Sequence, residues 1–188
     1  MASWRDKLGL DDDDSSPGDK FAMANLPIVE STTQEANVKT AEVETLCRES
    51  LDFLAAIAIP TVFRYFFPPV FKAIWTWLIS FVHRTRDFSQ LAIGLPRGFG
   101  KTMLIKIFVL YCILFTRKQF ILVTCGTLAK AVNIITDIMN MLNEPNIRKI
   151  FGDWKLGIQT DRQELKRFGF RGRNIILMGF GVGGDVRG

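Results

Sequence analysis

The stretch Leu95-Pro96-Arg97-Gly98-Phe99-Gly100-Lys101-Thr102 sits between a short apolar run and a longer one, and the rest of the chain is best read outward from it. A phosphate-binding loop is usually written GxxxxGK[ST]. Gly100, Lys101 and Thr102 match that pattern. Leu95 stands in the first position, and Gly94 comes one residue too early. The chemistry still suits the residues. Glycines at 98 and 100 let the backbone approach an anion without a Cβ in the way. Amides of the loop and of the first helical turn point at phosphate oxygens. Lys101 reaches the β- and γ-phosphates of a nucleotide, and the Thr102 hydroxyl takes a place on Mg²⁺. Arg97 adds a cation that stabilises charge on a transferring phosphoryl group. The candidate nucleotide-binding residues are therefore Pro96, Arg97, Gly98, Phe99, Gly100, Lys101 and Thr102. Lys101 and Arg97 are the candidate catalytic groups, Thr102 the candidate metal ligand, and ATP with Mg²⁺ the expected cofactor.

Outward from the loop, residues 90–95 read as an apolar strand and residues 100–116 as a helix. QFILVT at 119–124 reads as a strand buried on both faces. Residues 128–142 return to helical spacing through Ala131, Ile134, Ile135, Ile138 and Leu142. This order predicts an α/β fold with a parallel sheet. Towards the N-terminus, residues 41–59 read as a helix ended by Pro60. Residues 70–83 read as another, with Ile74, Trp77, Leu78 and Phe81 on one face. Beyond the core, residues 167–171 and 174–178 suggest a hairpin around Gly172. The expected organisation is a disordered acidic segment at 1–40, a helical lead-in at 41–87 and a nucleotide-binding domain at 88–188.

Composition narrows the function. The net charge is +5, yet residues 1–40 carry −4, which leaves +9 on the remainder. A basic body suits a polyanionic partner. Arg162, Lys166, Arg167, Arg171 and Arg173 form its densest basic cluster and are candidates for tracking a DNA backbone. Three cysteines without metal-ligand spacing, and a single histidine at His83, argue against a zinc site or a disulfide framework. Prolines and charges interrupt residues 51–82, and the apolar run 103–115 is too short to span a bilayer, so no membrane segment is expected.

Pro96-Arg97-Gly98-Phe99-Gly100-Lys101-Thr102 resembles the loop of the large terminase subunits of tailed bacteriophages, in which the first glycine is often missing and an arginine precedes the GK[ST]. Phe120-Ile121-Leu122-Val123-Thr124-Cys125-Gly126-Thr127 is similar to that family's second strand and following turn. The segment 181–188, ending Asp185-Val186-Arg187-Gly188, resembles its glycine-rich element before the acidic Walker B pair. The resemblance covers roughly residues 51–188. It implies a P-loop NTPase core, incomplete here and preceded by a helical segment. It also implies a motor that packages double-stranded DNA into procapsids, works with a small terminase subunit and a portal, carries a nuclease domain, forms homo-oligomers and operates in the host cytoplasm. No apolar strand ending in two acids follows the loop, and no glutamine lies between Ala41 and Ser89 to contact adenine. On this reading the chain is an N-terminal fragment that binds nucleotide weakly and hydrolyses it poorly. Tyr65, Phe66 or Phe67 is left to stack on a base. The alternatives are another P-loop ATPase acting on nucleic acid, helicase-like in type, and a non-enzymatic relic.

Overall fold

The computed structural model describes residues 33–62, 67–83 and 92–183, with side chains from residue 40 onward. The chain divides into two compact units, Met1–Phe66 and Phe67–Gly188. In the first, helix α1 (Thr33–Glu49) begins inside the stretch expected to lack structure, while residues 1–32 lie outside the described residues. The single helix expected at 41–59 is broken at Ser50. That residue is extended (φ −118°, ψ 119°), and its hydroxyl accepts from the Phe53 amide at 3.3 Å. It thus caps α2 (Leu51–Ala58), in which all eight residues are buried. Asp52 lies in the first turn of α2, where the helix dipole favours an acid.

The second unit holds α3 (Pro69–Val82), α4 (Lys101–Phe115), β1 (Phe120–Cys125), α5 (Leu128–Asn143), α6 (Pro145–Phe151), a 3₁₀ turn at Trp154–Gly157, β2 (Ile158–Asp161), β3 (Leu165–Phe170) and β4 (Arg173–Gly181). The strands form one four-stranded sheet in the order β1-β4-β3-β2. The fold is α/β, as expected, but the sheet is mixed. β1 runs parallel to β4, whereas β4 with β3 and β3 with β2 are antiparallel. The turn explains the difference. Arg171 (φ 50°) and Gly172 (φ 74°) are both left-handed, the backbone of a two-residue hairpin loop whose twist matches the strands it joins. A connection that short permits only antiparallel pairing. The parallel β1–β4 pair is reached through the long excursion over α5 and α6.

β1 is not buried on both faces. The register pairs Phe120, Leu122 and Thr124 with Ile176, Met178 and Phe180, which places all six on one side of the sheet. Phe120, Leu122 and Phe180 are exposed there, at 57%, 48% and 51%. The opposite side carries Val123, Ile175, Leu177 and Phe168, all buried. α5 covers that side closely: a Cβ on Gly179 would stand 2.9 Å from Ile135 Cδ1 and 3.3 Å from the Ala131 Cβ. An unbroken apolar run suits a strand buried on either side, and only the placement of α5 distinguishes the two. Leu122→Thr is therefore expected to change stability by about 0.5 kcal/mol or less, whereas Ile175→Val, in the packed face, costs about 0.5–1.5 kcal/mol in urea unfolding.

Cys47, Cys112 and Cys125 are free thiols. Burial pushes Cys47 and Cys112 up to about 12 from 9.0; Glu44 adds to the shift of the first, and Lys118 opposes that of the second. These are acids whose neutral form is favoured by folding. Above pH 9 the unfolded thiols ionise while the folded ones keep their protons, so stability is full below 9 and falls as pH rises towards 12. Guanidine unfolding at pH 10 is expected to give about 1 kcal/mol less stability per thiol than at pH 8. Cys112→Ala removes about half of that pH dependence.

Candidate functional site

The loop at residues 95–102 is a tight turn, not an extended segment. Arg97 and Gly98 form the turn, and Phe99 bends it. Gly98 (φ 83°) and Gly100 (φ 72°) adopt left-handed backbone that a side-chain-bearing residue would resist. The Phe99 amide donates back to the Pro96 carbonyl at 3.4 Å. Gly100 is the N-cap of α4, and no side chain caps the helix start. The positive end of a 15-residue helix therefore opens directly onto the loop.

Lys101 turns back over the loop. Its Nζ donates to the Leu95 carbonyl and, at 3.0 Å, to the Pro96 carbonyl. The ammonium thus closes a ring whose rim is the backbone of residues 95–100. Pro96, Arg97, Gly98, Phe99 and Gly100 are exposed, and so is Thr102 in the first helical turn. The next lysine, Lys106, is occupied by an ion pair with Asp137 of α5. Two cations, Arg97 and Lys101, remain at the loop, beside amides at the start of α4.

The expected strand leading into the loop is not found where it is described. Residues 92–96 belong to no strand, while residues 84–91 lie outside the described residues. The reason is local. Gly94 weakens a strand, and Pro96 has no amide to donate to a ladder, which leaves few consecutive residues able to pair. α3 also differs in its core face. The residues it buries are Phe71, Trp75 and Leu78, whereas Trp77 is exposed at 45%. In so apolar a helix two stripes fit the same spacing, and only packing selects one.

The packing residue that the sequence concealed is Phe71. Its ring stacks on Phe99 with centroids 5.8 Å apart and planes 14° from parallel. Phe67 joins it at 5.5 Å. Of the aromatics considered for base stacking, Tyr65 and Phe66 lie outside the described residues.

The basic cluster does not form one surface. Arg173 points inward, where its Nη2 donates to the carbonyl of Ile113 at 2.6 Å and that of Leu114 at 3.5 Å, satisfying the C-terminal end of α4. Burial, and next the charge of Arg171, pull its pKa below the usual arginine range. Lys166 pairs with Asp161 at 2.5 Å, and Arg171 lies over the Phe151 ring at 5.4 Å. Arg162, Arg167 and Arg171 are exposed. Arg187 lies outside the described residues. A shallow recess of about 290 Å³ at the β3–β4 turn is lined by residues 169–174 and by none of the loop. Among the described residues, no group of three or more His, Cys, Asp or Glu is placed to hold a metal, and no helix is long and apolar enough to cross a membrane.

Comparison with known proteins adds no assignment. A scan of protein-family models, a search of curated proteins and a search of solved structures each found no match. The geometry of the loop therefore carries the functional argument by itself.

Proposed function

We propose that the loop at residues 95–102 binds the phosphates of ATP together with Mg²⁺. One observation carries this reading: Lys101 folds back onto the carbonyls of Leu95 and Pro96 at the uncapped start of α4, so a cation and helix-end amides converge on one curled backbone. An arriving triphosphate would exchange lysine–carbonyl contacts, in which only the donor is charged, for contacts in which both partners are charged. Arg97 is exposed on the turn, and on this reading it is the residue that stabilises charge on the terminal phosphate. Thr102 is exposed beside Lys101, and its hydroxyl would hold a Mg²⁺ arriving with the nucleotide; the metal would supply charge neutralisation for the phosphates.

The resemblance of residues 96–102, and of residues 120–127 and 181–188, extends the proposal. On it, the chain is the ATP-binding part of a terminase large subunit, a P-loop NTPase core that works with double-stranded DNA, a small terminase subunit and a portal in the host cytoplasm. Arg162, Arg167 and Arg171, the exposed part of the basic cluster, are the residues left to meet a DNA backbone. Calorimetric titration with ATP, with and without Mg²⁺, tests the central claim. A saturable, Mg²⁺-dependent heat is expected, and a dissociation constant weaker than about 1 mM under both conditions overturns it. A change in that isotherm on adding duplex DNA supports the motor reading, and an unchanged one opposes it.

A further inference from the structure

The phosphate loop has little of its own to hold it in shape. Its turn contains one long backbone hydrogen bond, Phe99 to Pro96 at 3.4 Å. Its two left-handed positions are glycines, which enter and leave that conformation readily. Lys101 clasps the carbonyls of Leu95 and Pro96, but only from the end of a flexible four-carbon stem. A loop of this kind keeps one conformation only if something outside it is rigid.

α3 supplies that support through two contacts. Phe71 is 4% exposed, and its ring stacks on Phe99. Its Cζ also lies 4.0 Å from where a Cβ on Gly100 would stand, so the same ring backs the N-cap of α4. One helical turn further on, Trp75 meets Phe108 edge-on at 6.1 Å and Tyr111 at 5.3 Å, both on α4. α3 is thus anchored to the helix by Trp75 and to the loop by Phe71, on one face of one element.

We infer that Phe71 is a positioning residue for the phosphate loop: by stacking on Phe99 and backing Gly100 it holds the loop curled before any ligand arrives. The inference rests on the ATP reading for its functional consequence, though not for its structural one. A preformed loop binds without the cost of ordering, so loss of the stack weakens binding while removing no group that touches phosphate.

Hydrogen exchange of the ligand-free protein, followed by mass spectrometry over residues 99–107, which include the hydrogen-bonded Phe99 and Leu104 amides, tests it. Phe71→Leu and Phe99→Leu are each expected to speed exchange there about three- to tenfold, as befits loss of one aromatic pair. Peptides from α5 and β4 should keep wild-type rates. The double variant should exchange no faster than the faster single variant, because both remove the same contact. Phe99→Tyr, which preserves the stack, should show wild-type exchange over this segment. Because Phe99 is 43% exposed, its variants test the stack even if Phe71→Leu folds poorly. Affinity for Mg²⁺-ATP should fall by a similar factor in both leucine variants. Wild-type exchange in Phe99→Leu, or additive increments in the double variant, overturns the proposal. If the wild-type protein binds no nucleotide, the ATP reading falls, and the exchange rates still decide the role of Phe71.

Discussion

Lys101→Ala is expected to weaken Mg²⁺-ATP binding at least about tenfold, and up to about a hundredfold, without unfolding the protein. The size follows from what is removed. A hydrogen bond to a charged partner contributes about 1.5–3 kcal/mol, and 1.4 kcal/mol is a factor of ten in affinity. On the proposed reading, Lys101 would supply such a bond to phosphate on leaving the carbonyls of Leu95 and Pro96, which it contacts in the free protein. The cost to stability is small because the side chain is only half-buried and fills no core space. Calorimetry gives the affinity, and urea unfolding gives the stability. Lys106→Ala is the matched control: it removes an equally basic side chain from the same helix, one whose partner is Asp137 and not the loop. Its affinity should stay within about twofold of wild type. Equal losses in the two variants would mean that Lys101 acts only through general charge, and the loop would lose its standing as a nucleotide site.

Tyr111→Ala is the substitution expected to harm the fold most, at about 3–5 kcal/mol. Tyr111 is 1% exposed and stands at the centre of an aromatic cluster. Its ring lies 5.3 Å from Trp75, 5.0 Å from Phe115 and 6.1 Å from His83. Phe115 in turn meets Phe151 of α6 edge-on at 5.5 Å. Truncation leaves a cavity lined by Trp75 of α3, by His83 at the C-cap of that helix and by Phe115 of the next turn of α4. Tyr111→Phe separates ring from hydroxyl. It removes the 3.1 Å contact with His83 Nε2, and because His83 is exposed and rehydrates, the cost is about 0.5–1.5 kcal/mol. Urea unfolding followed by tryptophan fluorescence measures both. A loss below about 1 kcal/mol for Tyr111→Ala would show that the cluster closes over the gap and is not a rigid hub.

Several elements were legible in the sequence for identifiable reasons. α4, β1 and α5 were expected within one or two residues of where they stand, and β4 was expected three residues short at its end, because each is an apolar run with a clear period or a clear β-branched content. The hairpin around Gly172 was legible from its glycine and the flanking apolar residues. α6 and β2 were not. α6 is seven residues long and starts at Pro145, which reads as a breaker unless it is known to occupy the first helical turn. β2 is a short edge strand, Ile-Gln-Thr-Asp, whose pairing with β3 comes from the adjacent hairpin and not from its own composition. The break at Ser50 is a similar case: the periodicity runs through it, and the capping hydroxyl is visible only once the backbone is.

The candidate site divides in the same way. Gly98, Gly100, Lys101 and Thr102 were named from residue type and spacing, since the demands of an anion on nearby backbone are local and leave a local mark. Phe71 left no such mark. It lies 28 residues from Phe99, in a helix where almost every position is apolar. The inward turn of Arg173 was hidden too, because the carbonyls it satisfies, at Ile113 and Leu114, are some 60 residues away in the chain.

By itself, then, the sequence settled the long segments α4, β1, α5 and β4, the turn at Gly172, and which residues form a glycine-rich curl ahead of a helix. These are short-range matters of backbone freedom and periodicity. Tertiary structure alone decided that the sheet is mixed, that one side of β1 stays open, that Trp75 and not Trp77 is core, and which distant ring braces the loop. Those outcomes depend on contacts between residues far apart in sequence, where many apolar partners are chemically equivalent and shape alone selects among them.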